Sequence, residues 1–238
     1  MKKTYLLTSL SILIFCAGAS AQMKSYLGFY GGMSVPRGDF ANSTYENSKS
    51  GFANRGMTFS VDGGIYVYKN LAIGINMSFQ DQGELTASDT YTLAQGYTNS
   101  FKADQATVTA VGRYHTFDIL VGPQYSFSYH KFILDLRANA GFIKILSTPS
   151  LTTKMTGVPQ QTGEIVQKGG GGILLGYGGN AALRYKFADN WAVVLRGNYI
   201  IDKGPTVTTT GRTENVGRFV TRVPMNVFQT TIGLTIDL

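Results

Sequence analysis

The stretch Val223-Pro-Met-Asn-Val-Phe-Gln-Thr-Thr-Ile-Gly-Leu-Thr-Ile-Asp-Leu238 decides how this chain is read. From Phe228 onward, every second residue is Phe228, Thr230, Ile232, Leu234, Ile236 and Leu238. Between them stand Gln229, Thr231, Gly233, Thr235 and Asp237. Side chains of a strand alternate faces, so this segment has one apolar face and one small or polar face. A long strand of this kind needs a partner on each edge, and a sheet that closes on itself provides both.

Seven further segments alternate in the same way. About 24–35 puts Leu27, Phe29, Met33 and Val35 on one face, and 56–68 offers Met57, Phe59, Val61, Ile65 and Val67. The stretch 71–81 sets Leu71, Ile73, Ile75, Met77 and Phe79 against Asn76, Ser78 and Gln80. Segments 115–129, 132–146, 173–187 and 191–201 complete the set, led by Phe117, Phe132, Ile173 and Trp191. A one-residue slip in register inverts every face, so eight consistent segments argue for one shared architecture.

Three short breaks share a texture of aromatic, charge, turn residue and apolar residue: Tyr68-Lys69-Asn70-Leu71, Tyr129-His130-Lys131-Phe132 and Phe187-Ala188-Asp189-Asn190-Trp191. They recur about every 60 residues, a weak internal repeat. Four connections are long (36–55, 82–114, 147–172 and 202–222) and rich in Ser, Thr, Gly, Asn and Gln. Within the second, Ala106 to Val111 reads either as an upward extension of the following strand or as a short strand of its own. Short turns at one end and long loops at the other are the asymmetry of transmembrane barrels. Tyr66, Tyr68, Phe127, Tyr129, Phe132, Tyr185, Phe187 and Trp191 gather near the short turns. Amphipathic rings favour the headgroup level, so Tyr68, Tyr129, Phe132, Phe187 and Trp191 are expected at a membrane interface.

Residues 1–21 read as a secretory signal peptide: Lys2 and Lys3, an apolar run from Leu6 to Phe15, and Ala19-Ser20-Ala21 as a cleavage site after Ala21. Cys16, the only cysteine, falls in this leader, and Phe15 before it argues against lipidation. Residues 22–238 therefore form one domain without disulfides or a cysteine nucleophile. No later apolar run has the length of a spanning helix, so a membrane could be crossed only by a closed barrel. The net charge of +7 is spread out, and the nearest approach to a basic cluster is Arg212, Arg218 and Arg222. No nucleic-acid footprint is expected from that pattern.

The leader, the eight alternating segments, the turn rhythm and the apolar last strand resemble small bacterial outer-membrane β-barrels of the OmpA/OmpX-like, porin-family type. Gly28-Phe29-Tyr30-Gly31-Gly32 followed by Val35-Pro36-Arg37-Gly38-Asp39-Phe40 looks like the first strand and first loop of such domains. The chain departs from the family in ending on Leu238, where Phe or Trp is usual. The resemblance implies an all-β, eight-stranded antiparallel up-and-down transmembrane barrel in the outer membrane. It also implies a monomer that meets outer-membrane lipids, with Phe228, Ile232, Leu234, Ile236 and Leu238 recognised by the barrel assembly machinery.

An eight-stranded barrel is about filled by its own side chains. The inner face is expected to carry Asp62, Asp118, Asp135, Arg137, Arg184, Lys186 and Arg196 as a polar network. Buried charges persist when paired, which sets Asp62 and Asp135 near Arg137, Arg184 or Arg196. The same arginines could instead form the constriction of a narrow pore. The function expected is a scaffold displaying four long loops to an unidentified extracellular ligand, without cofactor, metal or catalytic residues. Some barrels of this size modify lipid A with a His-Ser-acid arrangement, but alternation places no outward serine beside His115. Arg37-Gly38-Asp39, Gly169–Gly172 and His130 read as turn and loop chemistry.

Overall fold

The structure is a computed structural model that describes residues 23–158, 164–211, 220 and 222–238. The expected leader, Arg212 and Arg218 lie outside the described residues. Among the described residues twelve strands are seen: β1 (Tyr26–Arg37), β2 (Asn54–Tyr68), β3 (Leu71–Gly83), β4 (Gln105–Val111), β5 (His115–Tyr129), β6 (Phe132–Ser147), β7 (Ser150–Thr156), β8 (Glu164–Lys168), β9 (Gly172–Lys186), β10 (Trp191–Asp202), β11 (Thr208–Thr210) and β12 (Asn226–Asp237). One helix, α1 (Ala87–Phe101), follows β3.

Eight strands close into an antiparallel barrel in the order β1-β12-β10-β9-β6-β5-β3-β2. Closure is made by β1 and β12, paired from Tyr26↔Asp237 to Arg37↔Asn226. Each strand thus meets its chain neighbours, and the last meets the first: an up-and-down barrel without edges. The apolar faces point outward in continuous rows. One runs Phe29↔Val61↔Met77↔Ile119↔Phe142↔Leu175, and another runs Phe29↔Leu234↔Val193↔Tyr185↔Phe132. A wall of this composition belongs in hydrocarbon, and the fold is that of a transmembrane β-barrel.

The two-residue turns need one residue in the left-handed region: Lys69 has φ 42° and His130 φ 53°. Strict alternation would put Tyr68 on the inner face with Tyr66. An irregularity between these residues in the β2–β3 pairing turns Tyr68 outward, 63% exposed, while Tyr66 stays in the lumen. Tyr66 therefore leaves the interfacial group in which its sequence position had placed it.

Three of the long connections are not the plain loops that their composition suggests. They contribute β4, β7, β8 and β11 to a second sheet, ordered β11-β8-β7-β4, with Ala106–Val111 lying in a separate strand. Helix α1 packs on β4. Tyr45, Phe52, Leu93, Tyr97, Val108, Leu151, Met155 and Ile165 form a second hydrophobic core above the barrel. Gly96 makes this core possible: a Cβ there would overlap the Tyr45 ring. Thr86 and Asp89 form a capping box at the start of α1, the Thr86 hydroxyl accepting from the Asp89 backbone N–H at 3.2 Å. Threonine and glycine serve helix and strand ends as well as loops, so composition alone did not separate them.

Two outcomes follow. Val121 sits between Ile75 and Ala140 on the outer wall. Val121→Arg should lose about 2–4 kcal/mol in urea titrations in lipid vesicles, whereas Tyr91→Arg on exposed α1 should change stability by less than about 0.5 kcal/mol. Burial pushes the Asp89 carboxyl up, but hydrogen bonds from the Thr86 backbone and hydroxyl, Asn54 and Ser43 outweigh it and hold it below its ordinary value. A depressed carboxyl stabilises the fold above its unfolded value and loses that contribution as pH falls through the folded one. Amide protection factors of α1 should be steady above about pH 4 and fall below it, and Asp89→Asn should abolish that dependence.

Candidate functional site

The inner face gathers the predicted charges at the turn end of the barrel. Arg137 on β6 grips Asp62 on β2 with both terminal nitrogens, Nη1 to Oδ2 at 2.8 Å and Nη2 to Oδ1 at 3.0 Å. Its Nε donates to Gln124 at 3.0 Å and its Nη2 to the Tyr26 hydroxyl at 3.0 Å. Gly74 leaves the room this guanidinium fills, since a Cβ there would overlap it. Arg184 on β9 holds Asp135 on β6 through Nε at 2.7 Å and Nη2 at 3.0 Å, and Nη2 also donates to Tyr66 at 2.7 Å. Arg196 on β10 lies 3.1 Å from Asp62, and its guanidinium stacks 4.1 Å over the Tyr30 ring. Lys186 sits at the turn end, half-exposed, with Asp237 at 2.6 Å.

Asp118 stands apart from these arginines. It accepts from Ser78 Oγ at 3.0 Å and from Gln80 Nε2, and has no ion-pair partner among the described residues. Above it the lumen changes character. Leu120, Ile143, Ile145, Ile200 and Val227 point inward and join Phe40, Ala53, Tyr114, Val207, Val220, Val223 and Met225 from the connections. The loop half of the lumen is therefore closed by an apolar layer, where sequence reasoning had drawn a polar interior throughout. Its signal was present: these inward positions break the polar alternation near the loop ends of β5, β6, β10 and β12.

On the outer wall Tyr68, Tyr129, Phe132, Phe187 and Trp191 are all at least 44% exposed and ring the turn end. Phe228, Ile232, Leu234, Ile236 and Leu238 project from the outer face, and the Leu238 N–H donates to Ser25 O at 2.8 Å. Arg37-Gly38-Asp39 is a turn: Gly38 has φ 58°, and Asp39 accepts from Asn47 Nδ2 at 2.9 Å. Gly170 donates its N–H to Thr148 Oγ1 at 2.7 Å, a loop lock rather than a phosphate cradle. His130 is exposed against Tyr129. No cluster of three or more His, Cys, Asp or Glu suited to a metal ion occurs among the described residues.

Near the loop end, three polar side chains share one cross-strand row on the outer face. Asp81 pairs with His115, and His115 pairs with Ser147. His115 Nε2 lies 3.2 Å from Asp81 Oδ1, and its Nδ1 lies 2.9 Å from Ser147 Oγ. Arg113 clasps Asp81 at 3.1 Å and Glu84 at 2.6 Å. Alternation along β6 turns Ile143 and Ile145 inward and would turn Ser147 inward too. The pairing instead jumps from Thr116↔Ile145 to His115↔Ser147, a bulge that brings Leu146 and Ser147 together onto the outer face. This is why the serine beside His115 was invisible to the period-two reading.

No protein-family model and no curated protein matches the chain. Among solved structures it is similar to Neisserial surface protein A, with TM-score 0.47, 9% identity and coverage of 90% of this chain and 97% of that one. It is also similar to Ail of Yersinia pestis in a phospholipid nanodisc, with TM-score 0.41, 12% identity and coverage of 90% and 99%. The outer membrane protease OmpT of Escherichia coli gives TM-score 0.40, 10% identity and coverage of 93% and 100%. At these identities nothing about activity passes from those proteins to this chain.

The buried Asp135–Arg184 pair yields a further expectation. Arg184→Met or Asp135→Leu alone should cost about 3–5 kcal/mol, because each strands a charge in the lumen. The double variant should cost clearly less than the two together. The fluorescence of Trp191, the single tryptophan, followed through urea titration in vesicles reads all three.

Proposed function

We propose that this chain is an outer-membrane β-barrel protein of a Gram-negative bacterium. In this reading the barrel is an anchor, and the module above it is displayed to the cell exterior to hold the envelope or bind a partner. The observation that carries this reading is the filling of the lumen at two levels, arginine–carboxylate pairs at the turn end and an apolar layer at the loop end. Opening a solute path would require parting buried ion pairs at the cost of stranded charges. The apolar layer is itself built partly from residues of the connections, so the segments that rise from the barrel also plug it.

Membrane sidedness follows from length. Tight turns belong to the periplasmic side and long connections to the outside. The aromatic ring at the turn end then marks the inner leaflet. Lipids cover the outer wall, the assembly machinery reads the outward residues of β12, and the protein acts as a monomer. A second core gives the displayed module a fixed surface, which favours binding of a structured ligand over capture by flexible loops.

Planar-bilayer recording of refolded protein tests the anchor reading, with heat-modifiable gel mobility as the folding control. A silent barrel is expected. A stable unitary current would replace this reading with a narrow porin, in which Arg137, Arg184 and Arg196 line the constriction.

A further inference from the structure

We propose that Asp81, His115 and Ser147 form an esterase site on the outer wall of the barrel, acting on an acyl-ester lipid that bears an anionic phosphate headgroup.

The three side chains stand in line at hydrogen-bond distance, 3.2 Å and 2.9 Å on opposite nitrogens of one imidazole. With Nε2–H donated to Asp81, the lone pair of Nδ1 faces the Ser147 hydroxyl. That hydroxyl has a second acceptor, Arg113 O at 2.9 Å, so rotation about its C–O bond moves the proton from a resting contact onto the base. Arg113, itself tied to Glu84, holds Asp81 in place. The strands already pair through their backbones here, so the row is not needed to join them.

Location supplies the substrate class. Asp81 lies ten residues along β3 from the turn-end Leu71. At about 3.3 Å per residue and a tilt of 35–45°, that is roughly 25 Å above the turns, the height of the apolar band. The next row down on the same face is Phe79↔Phe117↔Lys144. Phe79 stacks on His115 with ring centroids 5.8 Å apart, and Leu146 beside Ser147 is 51% exposed. A lipid lying along this wall would have its chains on Phe79, Phe117 and Leu146 and its ester level with Ser147. Exposed Lys144 can extend upward to meet a phosphate.

In the reaction, Ser147 Oγ forms a bond to the ester carbonyl carbon as His115 Nδ1 takes its proton. The ester C–O bond breaks, the leaving alcohol takes that proton back, and the acyl group remains on Ser147. Water, deprotonated by His115, then releases the fatty acid and restores the serine. Ser147 and His115 are the catalytic residues; Asp81 is a positioning residue.

The test uses the full-length barrel in vesicles with an alkyl fluorophosphonate, which labels activated serines. The expected result is an adduct on the Ser147 peptide, absent in Ser147→Ala and formed at least about 100-fold more slowly in His115→Gln. Asp81→Ala should slow labelling and Asp81→Glu should restore it, all variants keeping heat-modifiable mobility. No adduct on a heat-modifiable wild-type barrel, or labelling indifferent to His115→Gln, overturns the site. Fatty-acid release is then measured from phosphatidylglycerol vesicles and from purified lipopolysaccharide. Release from the first supports a phospholipid substrate, and release from the second alone supports a glycolipid. Labelling with release from neither overturns the lipid assignment. Conductance is unaffected by any of these outcomes, so the anchor reading and the esterase reading fail separately.

Discussion

Backbone pairing in hydrocarbon is the constraint on which this structure rests. A peptide N–H or C=O facing lipid has no water to bond, and each one left unpaired costs several kcal/mol. Antiparallel strands meet this demand only if the first and last find each other. Here Tyr26–Arg37 and Asn226–Asp237 do so along their whole length. Once the ring is closed, each remaining side chain must face lipid or lumen, and period-two alternation distributes them.

Closure at eight strands creates a second problem, because the interior is too narrow to leave empty and too isolated for free charge. The chain solves it in two ways along one axis. At the turn end, Arg137 and Arg196 cross the lumen to Asp62 and so link strands that are not adjacent in the ring, while Arg184 pairs with Asp135 on the neighbouring strand and reaches across to the Tyr66 hydroxyl. At the loop end, branched aliphatic residues meet a plug from the connections. The first arrangement gives directional cross-links, and the second gives a surface on which a second core can be built. Residues of the connections thus fill the mouth of the barrel, and the second core lies beyond them at the loop end.

Two departures from regular pairing have opposite consequences. The irregularity near Tyr68 completes the aromatic ring at one membrane face. The bulge at Leu146–Ser147 places a hydroxyl beside an imidazole near the other. Bulges add a residue to one strand and re-aim a side chain at little cost at sheet ends, where pairing is about to stop. Arg113, just before β5, then ties this row to Glu84, so the row lies between the lipid wall and the loop-end module.

The period-two pattern and the turn rhythm were enough to determine the eight strands, their antiparallel order and, outside the two irregularities, which residues of each strand share a face. The alternation is a local property, written within each strand by itself. The inward positions of Asp62, Asp135, Arg137, Arg184 and Arg196 were legible for the same reason. What only the tertiary structure decided depends on distance across the ring or on a broken period. Which arginine meets which carboxylate is set by the barrel's stagger, which no single strand records. The second core joins Tyr45, Leu93 and Ile165 from three separate connections, each too short in apolar residues to announce a core alone. Ser147 reached His115 only through a one-residue bulge, and strict alternation, the rule that made the barrel legible, pointed that serine the other way.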